Sequence, residues 1–163
     1  MNYHGWAAGI CMLGILISGN AIGQQENSVL DELDGYWQEV ARTVSTGDFE
    51  AYAAGYHADA IYVSESENLS QAISLKMDSW RQGFLDTQQG KAHPALDFRF
   101  SQRLNDATSA HETGIFRYSS GNGEGSSNAV YVHFEALLIK QGRWLTLMEY
   151  QKSLATEEEW DSL

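Results

Sequence analysis

An α+β domain is the fold class this chain predicts, and three observations predict it. Between residues 28 and 90 the apolar side chains recur mainly every three or four positions; from His93 onward they alternate. That single change of period places three helices first and a meander of strands afterwards. The third observation is size and content: 163 residues with 12% aromatics, five Trp and eight Tyr among them, suffice for one domain with a closed core. The helices are expected to pack on one face of a curved antiparallel β-sheet.

The first segment stands apart from that domain. "WAAGICMLGILISGNAIGQQ" is an uncharged apolar run that ends in Ala21-Ile22-Gly23 before Gln24. It reads as a secretory signal over residues 1–23, with the folded domain spanning 24–163. No Lys or Arg precedes the run, so an uncleaved anchor is the alternative. The single cysteine, Cys11, lies within it, which leaves an exported chain with neither a disulfide nor a thiolate. Residues 1–23 carry no Asp, Glu, Lys or Arg, so the domain keeps the whole net charge of −12. Such a surface repels nucleic acid and anionic lipid, so neither is an expected partner, and no membrane contact is expected once the signal is gone. Export to the periplasm or the extracellular space is the expected localisation.

Along the domain, Ser28 is placed as the cap of a first helix with Val29, Leu30, Leu33, Trp37, Val40, Ala41 and Val44 on its apolar stripe. Asp48 caps a short second helix with Phe49, Tyr52, Ala53 and Tyr56 inward, and "AIYVS" follows as a strand. Asn68 and Gln71 have the spacing of a capping box for a third helix, whose stripe is Leu69, Ile73, Met77, Trp80 and Phe84. Strands are then expected in "PALDFRFSQRL", "AHETGIFRYSSG", "AVYVHFEALLIK" and "RWLTLMEYQKS", the last two joined through Gln141-Gly142. The end "ATEEEWDSL" reads as a frayed tail. "GNGEG" falls in a hairpin loop with no helix after it, so it is not a phosphate cradle. The histidines are scattered and carry no metal-ligand spacing, and no metal or other cofactor is expected. Asn68-Leu69-Ser70 matches the glycosylation pattern, but a helix cap accounts for Asn68 without it.

One strand orients itself. Val130, Val132, Phe134, Ala136 and Leu138 form a wholly apolar row, which belongs on the core side. The mixed row of Tyr131, His133, Glu135, Leu137 and Ile139 suits an outer face. For the last strand, periodicity leaves the choice of face open.

The order helix, "GDFEAYAAGYHADAIYVS", helix, then strands ending in "KQGRWLTLMEYQKS" resembles the nuclear transport factor 2-like (NTF2-like) superfamily. Within it, the chain looks most like SnoaL-like proteins and the association domain of calcium/calmodulin-dependent kinases. The resemblance covers roughly residues 28 to 153, with Gly47-Asp48-Phe49-Glu50 and Gly142-Arg143-Trp144 as its most specific pieces. It implies a cone in which the sheet wraps the helices around a pocket, and a homodimer through the sheet. It also implies that His111, Thr113, Ile115 and Arg117 point inward, with Leu145, Leu147, Glu149 and Gln151 facing them from the last strand. Gln151 stands where a second basic pocket residue is expected, and no Asp matches the base of the ketosteroid isomerases.

Three readings follow. Arg117 and Glu149 pair inside the cone as a structural ion bridge. Alternatively, Arg117 meets a ligand anion in a pocket walled by Tyr52, Tyr56, Trp80 and Phe84, with Glu149 and His111 beside it and His57 assisting; the ligand is then a small, partly apolar acid. The third is acid–base catalysis of an isomerase, cyclase or dehydratase type, for which Glu149, His111 and Asp97 are the candidate residues. The fold hosts binding, assembly and catalysis alike and does not choose among them; an exported small-molecule-binding or assembly domain is the expected role, with acid–base catalysis as the alternative.

Overall fold

The computed structural model describes residues 19–121 and 128–163, with side chains from residue 28 onward in the first helix. The first part of the expected signal, residues 1–18, and residues 122–127, which hold all of "GNGEG" but its first glycine, lie outside the described residues. The elements are α1 (Gly19–Thr46), α2 (Phe49–Ala54), β1 (Tyr56–Ser64), β2 (Leu69–Ala72), α3 (Ile73–Gln88), β3 (His93–Asn105), β4 (Ser109–Gly121), β5 (Asn128–Lys140), β6 (Trp144–Ala155) and α4 (Glu157–Asp161). Six strands form one curved sheet in the order β2-β1-β6-β5-β4-β3. Pairings are antiparallel except β1 with β6, which run parallel, so the sheet is mixed where an antiparallel one was expected.

The α1 stripe forms as its spacing requires: Val29, Leu33, Trp37 and Val40 are all buried. They meet Ile73, Met77 and Phe84 of α3 and Phe134, Ala136 and Leu138 of β5 in one core. Extra residues in the ladders bend the sheet around that core. Register breaks fall between Phe100 and Gln102 in β3, and in the β5–β6 ladder between Val132 and Phe134 and between Leu137 and Leu138. Such bulges kink and twist a strand locally.

Four expectations are corrected. Ser28 does not cap α1, which already runs from Gly19 and carries Ser28 within it. The helices are not three in a row, because a β1–β2 hairpin separates α2 from α3. Asn68 does not cap α3; it adopts a left-handed φ of 47° and turns the chain from β1 into β2, so residues 69–72 pair with β1 and α3 starts at Ile73 without a side-chain cap. The acidic tail is not frayed. Thr156 and Glu159 form a reciprocal capping box at the start of α4, and Trp160 is 5% exposed. Its ring lies against Tyr131 at 5.8 Å and under the Arg99 guanidinium at 4.5 Å, and Arg99 Nη1 donates to the Trp160 carbonyl at 2.6 Å. The C-terminus thus straps the outer face of the sheet.

The turn between α1 and α2 depends on Gly47, whose φ is +73°. A Cβ there would sit 2.5 Å from the Phe84 carbonyl oxygen and 2.7 Å from the Gln88 nitrogen, both backbone atoms of α3. Gly47→Ala should therefore lose about 2 kcal/mol of stability, from left-handed strain together with displacement of α3. A urea denaturation midpoint measures it, and an unchanged midpoint would show that this turn is free to move away from α3.

Candidate functional site

A cavity of about 530 Å³ opens between the helices and the concave face of the sheet. Each of its walls has a sequence origin. On the helix side, α2 supplies Tyr52, β1 opens with Tyr56, and α3 presents Trp80 and Phe84 one turn apart. The rings of Tyr52 and Tyr56 lie 5.4 Å apart, Tyr52 and Phe84 5.0 Å, and Tyr52 and Trp80 6.0 Å. On the sheet side, Phe98, Phe116 and Phe134 come from the inner rows of β3, β4 and β5, and Trp37 of α1 closes on Phe98 at 4.6 Å.

Glu149 is the acidic group of this cavity. Among the described residues that line it, Glu149 is the one carboxyl, and none is Lys, Arg or His. Tyr56 donates its hydroxyl to Glu149 Oε2 at 2.5 Å, and Gln151 Nε2 donates to Oε1 at 2.7 Å. The network continues outward from both ends. The Tyr52 and Tyr56 hydroxyls are 3.0 Å apart, and the Tyr62 hydroxyl donates to Gln151 Oε1 at 3.2 Å. Burial pushes the Glu149 carboxyl above its ordinary value. The bonds from Tyr56 and Gln151 and the charge of Lys76 pull the other way without prevailing. Burial also pushes the Tyr52 and Tyr56 hydroxyls well up, reinforced by the Glu149 charge, so both remain donors. Lys76 is not free to neutralise Glu149: its Nζ pairs with Glu67 at 2.6 Å and lies 4.9 Å above the Tyr62 ring.

The reason Glu149 reaches the cavity is a bulge. In the β5–β6 ladder Leu138 pairs with Thr146 but Leu137 pairs with Met148, so Leu147 is an extra residue. Before it Trp144 and Thr146 are buried; after it Glu149 and Gln151 line the cavity. Strict alternation with Leu145 and Leu147 inward therefore does not hold, because the extra residue exchanges the two faces. Thr146 also lines the cavity, and its hydroxyl is 2.6 Å from that of Tyr36, whose ionisation burial pushes far up.

The inward placement of Arg117 is overturned. In the β4–β5 ladder Phe116 pairs with Val132 and Gly114 with Phe134, so the row Glu112, Gly114, Phe116 and Tyr118 shares the face of the apolar β5 row. His111, Thr113 and Arg117 consequently lie on the outer face. Arg117 pairs there with its cross-strand neighbour Asp97, Nη2 to Oδ2 at 2.7 Å, with about two-fifths of its side chain exposed. It neither meets Glu149 nor reaches the cavity. His111 Nε2 lies 3.2 Å from Glu135 on the same outer face, and His57 accepts from the Asp59 backbone at 3.1 Å outside the cavity. The structure thus brings together Glu149, Tyr52, Tyr56, Trp80 and Phe84, and separates Arg117, His111 and Asp97 from them.

A second polar centre lies on the inner face of β4. Glu112, fully buried, accepts from Trp37 Nε1 and from Arg103 Nε, while Arg103 Nη1 donates to Asp34. Sequence reading missed it. The available signal was Glu112 standing in the same row as Phe116. Among the described residues no group of three or more His, Cys, Asp or Glu is arranged to hold a metal, and no helix is long and apolar enough to cross a membrane.

No protein-family model matches this chain, and no curated protein matches it by sequence. Solved structures do match. An NTF-2 like protein of unknown function from Shewanella oneidensis superposes with a TM-score of 0.61 at 15% identity, covering 76% of this chain and 98% of that one. A ketosteroid isomerase-like protein from Erwinia carotovora atroseptica gives 0.55 at 13% identity over 80% of this chain and 99% of the other. A protein from Xanthomonas campestris named for the calcium/calmodulin dependent protein kinase II association domain gives 0.55 at 17% identity, covering 81% and 87%. At these identities the likeness is one of fold, and the fold of this chain is NTF2-like.

Proposed function

We propose that this chain is a small-molecule-binding domain whose cavity holds a largely apolar molecule and whose Glu149 meets that molecule's polar group. One observation carries the reading: a half-buried carboxyl, its remaining surface facing an aromatic cavity of about 530 Å³, held in place by Tyr56 and Gln151. That volume lies within the range of small-molecule sites, which are mostly apolar with a few placed polar groups. An acidic ligand is not supported, since the described residues of the lining offer no cation and a carboxylate would face the charge of Glu149.

A second reading has its own observation. A carboxyl that burial keeps protonated to higher pH is closer to the proton affinity of a general base or acid, and Tyr56 orients it. It extends the first reading, because proton transfer requires a bound molecule in the same cavity.

Gly83 provides the test. It lines the cavity from α3, and a Cβ added there meets nothing within 4 Å. Because Gly83 is exposed on α3, Gly83→Leu should obstruct the mouth of the cavity while improving helix propensity. Naphthalenemethanol, a neutral aromatic probe, is expected to raise the melting temperature of the wild type and leave that of Gly83→Leu unmoved, since ligand bound to the native state stabilises it by mass action. Equal shifts in both proteins would place binding elsewhere and sink the reading.

A further inference from the structure

We infer that the molecule held by this cavity is a lipophilic amine bound as its ammonium ion, with Glu149 as counter-ion and the rings of Tyr52, Tyr56 and Trp80 around the charge. The inference rests on the binding reading above and narrows its ligand class. It begins with what Glu149 has and what it lacks. Tyr56 and Gln151 each donate a hydrogen bond to one of its oxygens, an arrangement that suits the ionised carboxylate. Among the described residues that line the cavity none carries a positive charge, and the nearby Lys76 is committed to Glu67. A carboxylate with hydrogen bonds but no cation in an apolar cavity is incomplete, and an ammonium completes it.

The walls favour the same class. The faces of Tyr and Trp rings attract cations, more strongly where water is excluded; Tyr56 bonds Glu149, its ring lies 5.4 Å from that of Tyr52, and Trp80 lies 6.0 Å from Tyr52 in the same lining. Phe98, Phe116 and Phe134 make the sheet side of the cavity beyond Glu149 and Gln151 largely apolar, so the rest of the ligand is hydrocarbon or aromatic. A net charge of −12 draws cations toward the protein, and a concave low-dielectric site concentrates that field. A neutral ligand would use the walls but leave the carboxyl without its counter-charge. An acid would oppose it.

The experiment compares three probes of one shape: naphthalenemethylamine, naphthalenemethanol and naphthoic acid. Each is titrated by calorimetry against the wild type, Glu149→Gln and Gly83→Leu at neutral pH. The wild type is expected to bind the amine at least about tenfold more tightly than the alcohol, and the acid not measurably. Glu149→Gln should bind amine and alcohol alike, and Gly83→Leu should bind neither, which separates the cavity from general attraction to an acidic surface. If the alcohol matches or exceeds the amine on the wild type, the ammonium inference falls while the binding reading stands. If none of the three binds the wild type, both fall. The comparison on the wild type decides the matter even if a variant does not fold.

Discussion

Glu112→Ala should cost about 3–5 kcal/mol of unfolding free energy, the range for removing one partner of a buried ion pair. Glu112 has no exposed surface, and its two oxygens are the acceptors for Arg103 Nε and Trp37 Nε1. The alanine variant leaves the indole N–H of Trp37 without an acceptor. It also leaves the Arg103 guanidinium, whose Nη2 already has no hydrogen-bond partner, with Asp34 alone. The loss reaches beyond the pair, because these three residues tie α1 to β3 and β4. Trp37 is also a wall of the cavity, packed on Phe98 and Phe134. Glu112→Gln keeps an acceptor for Trp37 and nearly the same volume, so it should lose distinctly less. Urea unfolding monitored by tryptophan fluorescence measures both, with equal m-values confirming that the states compared are the same. An alanine variant losing less than about 1 kcal/mol would mean that the pair contributes no more than an exposed one.

Much of this architecture can be read from residue spacing, and the places where reading fails share a cause. The α1 stripe and the β5 row are legible because each has one polar and one apolar side, so burial admits a single orientation. β4 offers no such contrast. One row contains Glu112 and Gly114, the other His111, Ile115 and Arg117, and both mix polar with apolar. Only the pairing of Phe116 with Val132 decides between them, and that is a fact about the neighbouring strand. The resemblance to a known fold supplied an answer for Arg117, and it was the wrong face. The same resemblance placed Glu149 inward together with Leu147, and Glu149 does lie inward, but because Leu147 is an added residue that reverses alternation. The parallel β1–β6 contact joins segments far apart in sequence and has no local signature. α4 did have one, since Thr156-Glu157-Glu158-Glu159 is a capping-box pattern, but three successive glutamates read as solvated chain until Trp160 is seen to anchor them.

Glu149→Gln should abolish the pH dependence that this one residue imposes on stability. In the unfolded chain Glu149 titrates at its ordinary value near 4.5; in the native cavity burial holds it higher. As pH rises, the unfolded state therefore releases this proton first. The residue's contribution is fully favourable below the unfolded value, declines as pH climbs through the folded one, and is constant above it. Glutamine does not titrate, yet it can still accept from Gln151 and exchange a hydrogen bond with Tyr56. The wild type should thus lose melting temperature relative to Glu149→Gln as pH rises from about 4.5 upward. Taking the difference is essential, because Glu32, Glu39, Asp48, Asp106, Glu135 and Glu159 are all held below their ordinary values by hydrogen bonds and ion pairs. Those groups make the whole protein gain stability as pH rises from acid, the opposite sign, and they cancel between two chains that share them. Melting curves of both proteins across the range from pH 4 to pH 8 measure the difference. A difference that stays flat, or that moves in favour of the wild type, would show Glu149 already ionised and neutralised in the native state. The incomplete carboxylate on which the ammonium site depends would then not exist.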